Sequence, residues 1–508
     1  MRRRAAALAG GATWLWLTAA QAQGPVGADQ LQPEDWAYQT LNSQRQRHGC
    51  ATTATEAALN GGEAISRFSA AELLNTCVLQ SGSQDPGLAA LMQQLSPELS
   101  RLQSNLDELE AIRFSATTKL RGLASFVVGS NRFDGSDTSE VLRSRSDYGA
   151  TLFNYDLKLI LDTSFTGQDL LRARLRGGNF NTTNNSFHGA GPSKLSTLET
   201  AFQEKSGPDV VAINRLYYQF PLGKGWTASI GPRVGQLDLF ALRPSIYPEE
   251  TILDWFTLKG APAAYNYQLG TGGGLWWQSR HGFSISANYV AGNGAKGNPS
   301  EGGIGSAASA STGSLQVGYR TAQWGAAAVV SAVQNLGGVI DYATNFTLNS
   351  FNNPGLTTAY GLSAYWQPLQ SGWLPSISAG WGFNRTNYDS TVNTQGLVAD
   401  SQSWSIGLQW SDVLNIGNTL GMAVGQPIFA TALYGGTQPR DGNTVWEWWY
   451  KIQLSDNLAI TPALFLLNRP LGADTPAGQT FRQIGALLKT TLYFTSPHPG
   501  HHRKNGYR

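Results

Sequence analysis

Between Phe114 and Phe494, apolar and polar side chains alternate one by one through a succession of segments of about ten residues. In Trp404-Ser405-Ile406-Gly407-Leu408-Gln409-Trp410 every apolar side chain has the same parity. In Val445–Leu454, Trp446, Trp448, Tyr450, Ile452 and Leu454 share one face, and Glu447, Lys451 and Gln453 share the other. Period-two patterning predicts strands with one oily and one polar face. The segments begin near Phe114, Thr151, Asp169, Asn214, Trp226, Gln268, Phe283, Ser314, Trp324, Thr358, Leu374, Gln402, Thr419, Thr444, Leu458 and Phe481, which makes sixteen. Short connections such as Thr166–Gln168, Arg280–Gly282 and Ser455–Asn457 alternate with long ones such as 178–213, 236–267 and 335–357. An even strand number with short periplasmic turns opposite long outer loops predicts a transmembrane antiparallel β-barrel, an all-β fold, with both chain ends on the periplasmic side. A soluble sandwich would turn its apolar face to a core and has no reason for that rhythm of connections.

Upstream of residue 114 the pattern changes. Met1-Arg2-Arg3-Arg4, the apolar run Ala5–Thr18 and the site Ala20-Gln21-Ala22 together predict a signal peptide over residues 1–22. Residues 23–85 form a small module with helical patterns over Pro33–His48 and Ser69–Val78. Its Cys50 and Cys77 are the only cysteines of the chain. A metal site would need further ligands, and only His48 is near, so an exported chain predicts a disulfide. In residues 87–112 the positions Leu88, Met92, Leu95, Leu99, Leu102, Leu106 and Leu109 are spaced as heptads, predicting a coiled-coil stalk between chains. The alternative is a helix docked on its own module.

Composition narrows the function. Of 508 residues 14% are charged, 41% are hydrophobic and 58 are Gly, and the net charge is +2. Nucleic-acid binding calls for a larger basic excess, and a helical membrane protein calls for uncharged apolar runs of about 18 residues or more. Catalysis needs a positioned base, yet His188 and His281 have no Ser or Asp partner suggested by spacing, so no enzyme, cofactor or metal site is expected.

Specific stretches carry a resemblance. LQPEDWAYQTLNSQRQRHGC followed by ISRFSAAELLNTC resembles the S-layer homology module at the N-terminus of cyanobacterial outer-membrane porins. RLYYQFPLGKGWTASIGPRV, ILDWFTLKGAPAAYNYQLG, SWSIGLQWSDV and WEWWYK followed by ITPALF resemble the barrels of the same porins, which are grouped with OprB-type carbohydrate-selective porins and in part described as iron-uptake porins. The resemblance implies passive diffusion of small hydrophilic solutes (carbohydrates, inorganic ions, iron among them) through a homotrimer in outer-membrane lipid. It further implies a periplasmic module bound to peptidoglycan-linked polysaccharide, with Trp36 and Arg67 as glycan contacts. Packing roles for both residues are the alternative. A structural tether between outer membrane and wall, with incidental channel activity, is the second functional reading.

Within the barrel, Arg172, Arg174 and Arg176 share one face of their strand, and lipid-facing arginine costs about 2–4 kcal/mol at mid-membrane, so the three should line the pore. Asp156 and Lys158 on the neighbouring strand share that wall. Porins fold the loop between the fifth and sixth strands into the lumen. Here that constriction loop is Gln236–Tyr267, with Asp238, Glu249, Glu250 and Asp254 expected to face the arginines and set a transverse field. Salt bridges that only hold the loop are the alternative. Trp276, Trp381, Trp446 and Trp448 are read as interfacial girdle residues, and Trp277 and Trp449, of opposite parity, as inward candidates for stacking on sugars. Tyr493-Phe494 resembles a terminal assembly signal, after which 495–508 reads as a flexible basic tail.

Overall fold

A computed structural model describes residues 30–33, 35–50, 59, 63–81, 86–100, 118–248, 252–336, 338–436 and 438–495. The signal peptide, most of the tail, the second half of the heptad region and the pair Glu249–Glu250 lie outside the described residues. The chain divides into two units, Met1–Phe114 and Ser115–Arg508.

In the first unit, β1 (Gln30–Leu31) pairs with β2 (Ile65–Ser66), and helices α1 (Trp36–His48), α2 (Arg67–Ser81) and α3 (Pro86–Gln94) pack beside them. Helix α1 ends at Gly49, whose φ of 68° suits glycine, with Arg45, Arg47 and His48 in the last turn complementing the helix dipole. Cys50 and Cys77 are joined in a disulfide inside the module core, beside Leu41, Leu73 and Leu74. That core also takes Leu88, Leu91 and Leu95, with Met92 and Leu99 against it. The described half of the heptad region therefore packs on its own module instead of presenting a free seam. The reason is physical: so small a unit lacks apolar surface, and three more leucines complete its interior.

The second unit is a ring of strands. Its first half is β3 (Thr118–Asp134), β4 (Leu152–Thr163), β5 (Leu170–Gly178), β6 (Ala212–Gly223), β7 (Trp226–Gly235), β8 (Leu269–Gln278), β9 (Phe283–Ala291) and β10 (Ser311–Arg320). The second half is β11 (Trp324–Gln334), β12 (Gly355–Trp366), β13 (Ser376–Tyr388), β14 (Val398–Ser411), β15 (Thr419–Leu433), β16 (Thr444–Ser455), β17 (Leu458–Asn468) and β18 (Arg482–Thr495). Every neighbour is antiparallel, and β18 closes on β3 from Arg482 opposite Asp134 to Thr495 opposite Arg121. This is the sixteen-strand barrel that the alternation predicts, with each strand beginning on or within a few residues of its expected start. The chain enters and leaves the ring at the end that carries the short turns.

Side chains sort by parity. In β9, Phe283, Ile285 and Ala287 are exposed on the outer face, while Ser284, Ser286 and Asn288 are buried inside. Ile230, Leu275, Leu315, Leu362, Trp381, Ile406, Trp448 and Leu464 continue the apolar outer belt. A sheet whose exposed face is oily suits acyl chains as solvent, and ring closure leaves no unpaired strand edge in that medium.

Candidate functional site

The lumen is partly filled, and its filling starts from glycine and serine on the inner faces of β11–β15. A Cβ on Gly380 would stand 1.8 Å from the Lys259 carbonyl oxygen, and one on Gly425 would stand 2.6 Å from the Trp255 ring. Glycine within a strand permits such close backbone approach. Ser378 Oγ accepts from the amides of Ile246 and Tyr247 at 3.0 Å each, Ser363 Oγ donates to Lys259 O at 2.8 Å, and Ser403 Oγ donates to Gly260 O at 2.9 Å. The loop 236–268 between β7 and β8 thus lies along the inner wall. Glu447, on the inner face of β16, accepts from the Tyr247 hydroxyl at 2.6 Å and the Leu253 amide at 2.8 Å.

Two further loops join it. The loop 179–211 runs beside it, with Glu199 N donating to Ile252 O at 2.8 Å and Asp254 N donating to Thr197 O at 3.0 Å. From loop 335–354, which carries α4 (Asn345–Phe351), Asp341 pairs with Lys194 at 2.6 Å and the Tyr342 hydroxyl donates to Asp254 Oδ2. Leu198, Ile252, Leu253, Trp255, Phe256 and Tyr342 from these loops form one apolar cluster with Val127, Val445, Trp449, Phe465 and Leu487 of the wall. The expected single constricting loop is therefore the middle of three.

Opposite stands a charged wall. Arg172, Arg174 and Arg176 of β5 all turn inward. Arg172 grips Asp162 through two hydrogen bonds of 2.7 and 2.8 Å, and Arg176 grips Asp156 through two of 2.7 and 3.1 Å. Lys158 bonds Glu199 at 2.9 Å and lies 3.6 Å from Asp156. Arg174 Nε donates to Asn214 Oδ1 at 2.8 Å, and its Nη2 donates to the same oxygen. Between β5 and β6 the register shifts at Arg174/Leu175, a bulge that lets adjacent residues Asn214 and Arg215 both face the lumen while Ile213 stays outside. Arg215 meets Asp238 of the constriction loop at 2.6 Å.

The predicted transverse field is thereby corrected. Two of the three ladder arginines, Arg172 and Arg176, are neutralised by carboxylates of their own wall, because forked, charge-assisted pairs form wherever two planar groups align. Of the constriction-loop carboxylates, Asp238 pairs with Arg215, and Asp254 is held by the hydroxyls of Tyr267, at 2.7 Å, and Tyr342. Burial above all, and then the Glu199 charge, push the Asp254 carboxyl up to about 7 against those hydroxyls. Burial also works against ionised Glu199, but Lys158, Arg176 and Lys489 outweigh it and hold that carboxyl at about 2. Asp238, likewise opposed by burial, is kept below the usual range by Arg215 and Arg243.

Between this wall and the three loops lies a cavity of about 420 Å³, lined by six basic and four acidic side chains together with Tyr267 and Tyr342. Chemically it offers forked donors, carboxylate acceptors and an aromatic edge to a polar solute. Among the described residues no group of three or more His, Cys, Asp or Glu is placed to hold a metal ion. The sequence match is decisive for the family, since residues 93–481 fit the carbohydrate-selective porin, OprB family. The chain belongs to the OprB porins. An uncharacterized protein of Nostoc sp. is 30% identical over 91% of this chain and 84% of its own length, and another of Synechocystis sp. is 28% identical over 91% and 89%. Among solved structures, Pseudomonas putida OprB at high pH superposes with a TM-score of 0.48 and 11% identity, covering 77% of this chain and 97% of that one. The anion-selective porin of Comamonas acidovorans gives 0.44 and 12%, covering 74% and 99%. The protein is an outer-membrane porin, and the cavity lies in the lumen of its barrel.

Several residues lining this cavity escape a sequence reading: Glu199, Lys194, Asp341 and Tyr342 on loops, and the bulged pair Asn214 and Arg215, as does Asp162 of β4, the partner of Arg172. Two aromatic expectations change. Trp276, not Trp277, faces inward, where it packs with Tyr217, Val234 and Leu239, and Trp277 pairs across the sheet with outward Trp226. Trp449 does point inward, but at 3% exposure it lies beneath Tyr247, whose hydroxyl accepts its indole N–H at 2.7 Å, so it has no face left for a sugar. In the N-terminal module Trp36 is exposed, whereas Arg67 is engaged by Glu98 Oε1 at 2.6 Å and Gln94 O at 2.9 Å.

Proposed function

We propose that this cavity is the eyelet, the narrow part of the bore, and that the porin passes monosaccharide-sized hydrophilic solutes and small inorganic ions by diffusion through it, working as a homotrimer. The observation that carries this reading is the polar cavity of about 420 Å³ between the β4–β6 wall and the infolded loops, a size that suits small ligands. Six basic against four acidic lining side chains favour neutral and anionic solutes over cations, ferric ions included. Swelling of liposomes containing the purified protein tests it: monosaccharides enter faster than trisaccharides, and vesicles that stay tight to both overturn it.

The N-terminal module serves as an anchor to peptidoglycan-linked polysaccharide on the periplasmic side. The exposed indole of Trp36 supports this reading, since aromatic faces pack on sugar rings. Arg67 contributes by fixing α2 against the segment carrying Glu98, a positioning role and not a glycan contact. Co-sedimentation of the full chain and of its Trp36→Ala variant with purified wall sacculi tests the anchor, and equal sedimentation of the two removes Trp36 from it.

A further inference from the structure

Around the eyelet, cations and carboxylates are matched in sequence. Arg172 has Asp162, Arg176 has Asp156, Lys158 has Glu199, Lys194 has Asp341, and Arg215 has Asp238. Arg174 breaks the series. Both of its donating nitrogens meet Asn214 Oδ1, a neutral amide oxygen, and among the described residues no carboxylate pairs with it. Its partner across the sheet is Arg215, another cation. The mismatch is built into the backbone, because the β5–β6 bulge is what brings the Asn214 amide inward to hold the guanidinium without neutralising it.

The same cavity holds a second unmet group. Glu199 Oε1 takes the Lys158 ammonium, while its Oε2 is buried and accepts no hydrogen bond from the described residues. The ring of Tyr267 also lines the cavity, with its hydroxyl tied to Asp254. A buried acceptor without a donor is costly, and so is a largely buried guanidinium with no carboxylate in contact. One ligand that brings a hydroxyl donor and an anionic group relieves both.

Resting on the porin reading above, we propose that the eyelet selects monosaccharides carrying one carboxylate or phosphate. The anionic group lies on the Arg174 guanidinium and a ring hydroxyl donates to Glu199 Oε2. A planar guanidinium already oriented by Asn214 meets a carboxylate or phosphate with paired donors at little further entropic cost. In a narrow lumen the charge is less screened than in bulk water. A neutral sugar satisfies Glu199 alone, and a simple anion satisfies Arg174 alone.

The test is block of ion current by sugars in planar bilayers holding the purified full chain in potassium chloride. Glucuronate and glucose 6-phosphate, run as separate arms, halve the current at concentrations about tenfold below glucose, the equivalent of one charge-assisted contact. Arg174→Lys, which keeps the charge and loses the paired donors, retains an intermediate preference. Arg174→Gln brings the acidic sugars to within about twofold of glucose, and so does Asn214→Asp, which neutralises the arginine in place and serves if the glutamine variant does not insert. A conducting wild-type channel blocked equally by all three sugars overturns the proposal, as does an Arg174→Gln or Asn214→Asp channel that retains the preference. Loss of all current from the wild-type chain is a different result and overturns the porin reading itself.

Discussion

The Tyr247 hydroxyl donates to Glu447 Oε1 at 2.6 Å, so a residue of the infolded loop is held by a carboxylate on β16, the fourteenth strand of the ring. The other oxygen of Glu447 takes the Leu253 amide, and the Tyr247 hydroxyl in turn accepts from Trp449. One wall side chain thus fixes two points of the loop that narrows the bore. Glu447→Ala leaves a buried hydroxyl and a buried amide without acceptors, a cost of about 1–3 kcal/mol for each group. The expected outcome is a larger single-channel conductance with greater open-state noise, while Glu447→Gln, which keeps one acceptor, changes both less. An unchanged conductance in the alanine variant would show that the loop is held elsewhere.

Gly380 makes a second prediction about the same loop. Its missing side chain leaves the room that the Lys259 carbonyl occupies, with a Cβ–oxygen distance of 1.8 Å if alanine stood there. Gly380→Ala must push loop and wall apart, at about 1–3 kcal/mol for overpacking. Gly313→Ala meets nothing nearer than 3.7 Å and is the matched control. Thermal unfolding in detergent should fall for the first and stay level for the second.

Asp254 sets a pH dependence whose sign follows from its position. Its carboxyl is pushed up to about 7 by burial first and by Glu199 next, so the folded protein holds that proton more tightly than the unfolded chain does. This stabilisation is fully present below the ordinary aspartate value and is lost as pH rises through about 7. Glu199, held at about 2, stays ionised across that window. Below neutrality the eyelet carries one negative charge fewer, so anion preference, read as a reversal potential in a salt gradient, is greatest there and declines as Asp254 ionises. Asp254→Asn should keep the acidic-side value at every pH, and a wild-type reversal potential flat from pH 5 to pH 9 would refute the assignment.

The module carries its own prediction. Cys50 and Cys77 close a sequence separation of 27 residues, a constraint worth roughly 3 kcal/mol by loop-closure entropy. Mild reduction of the full chain should open residues 23–85 to protease while leaving the barrel resistant. Wall co-sedimentation should fall in step, and bilayer conductance should persist. Conductance lost together with the module would make the two units interdependent.

The strands were legible because each one meets two different solvents. Trp226, Phe283, Trp324, Thr419, Thr444 and Leu458 open strands at the residues where alternation begins. Parity failed where it carried no information: Leu275-Trp276-Trp277 is uniformly apolar, and only the pairing of Trp277 with Trp226 reveals which ring turns outward. It failed again at Asn214, since a bulge reverses the count by one and leaves no mark in the sequence. Arg172, Arg174 and Arg176 could be placed from their strand alone. Glu199, Asp341 and Tyr342 could not, because they reach the eyelet through loops whose paths are decided by what the ring as a whole encloses. Leu88 and Leu95 show a third kind of ambiguity, as heptad spacing does not distinguish a partner chain from a nearby hollow in the same one.

Val127 belongs to the opening strand of the ring and Leu487 to the closing one, yet both press on the same cluster as Leu253 and Trp255. That cluster has no finished form until the head and tail of the barrel have zipped together. Ring closure and the seating of the infolded loop are therefore coupled through Val127 and Leu487.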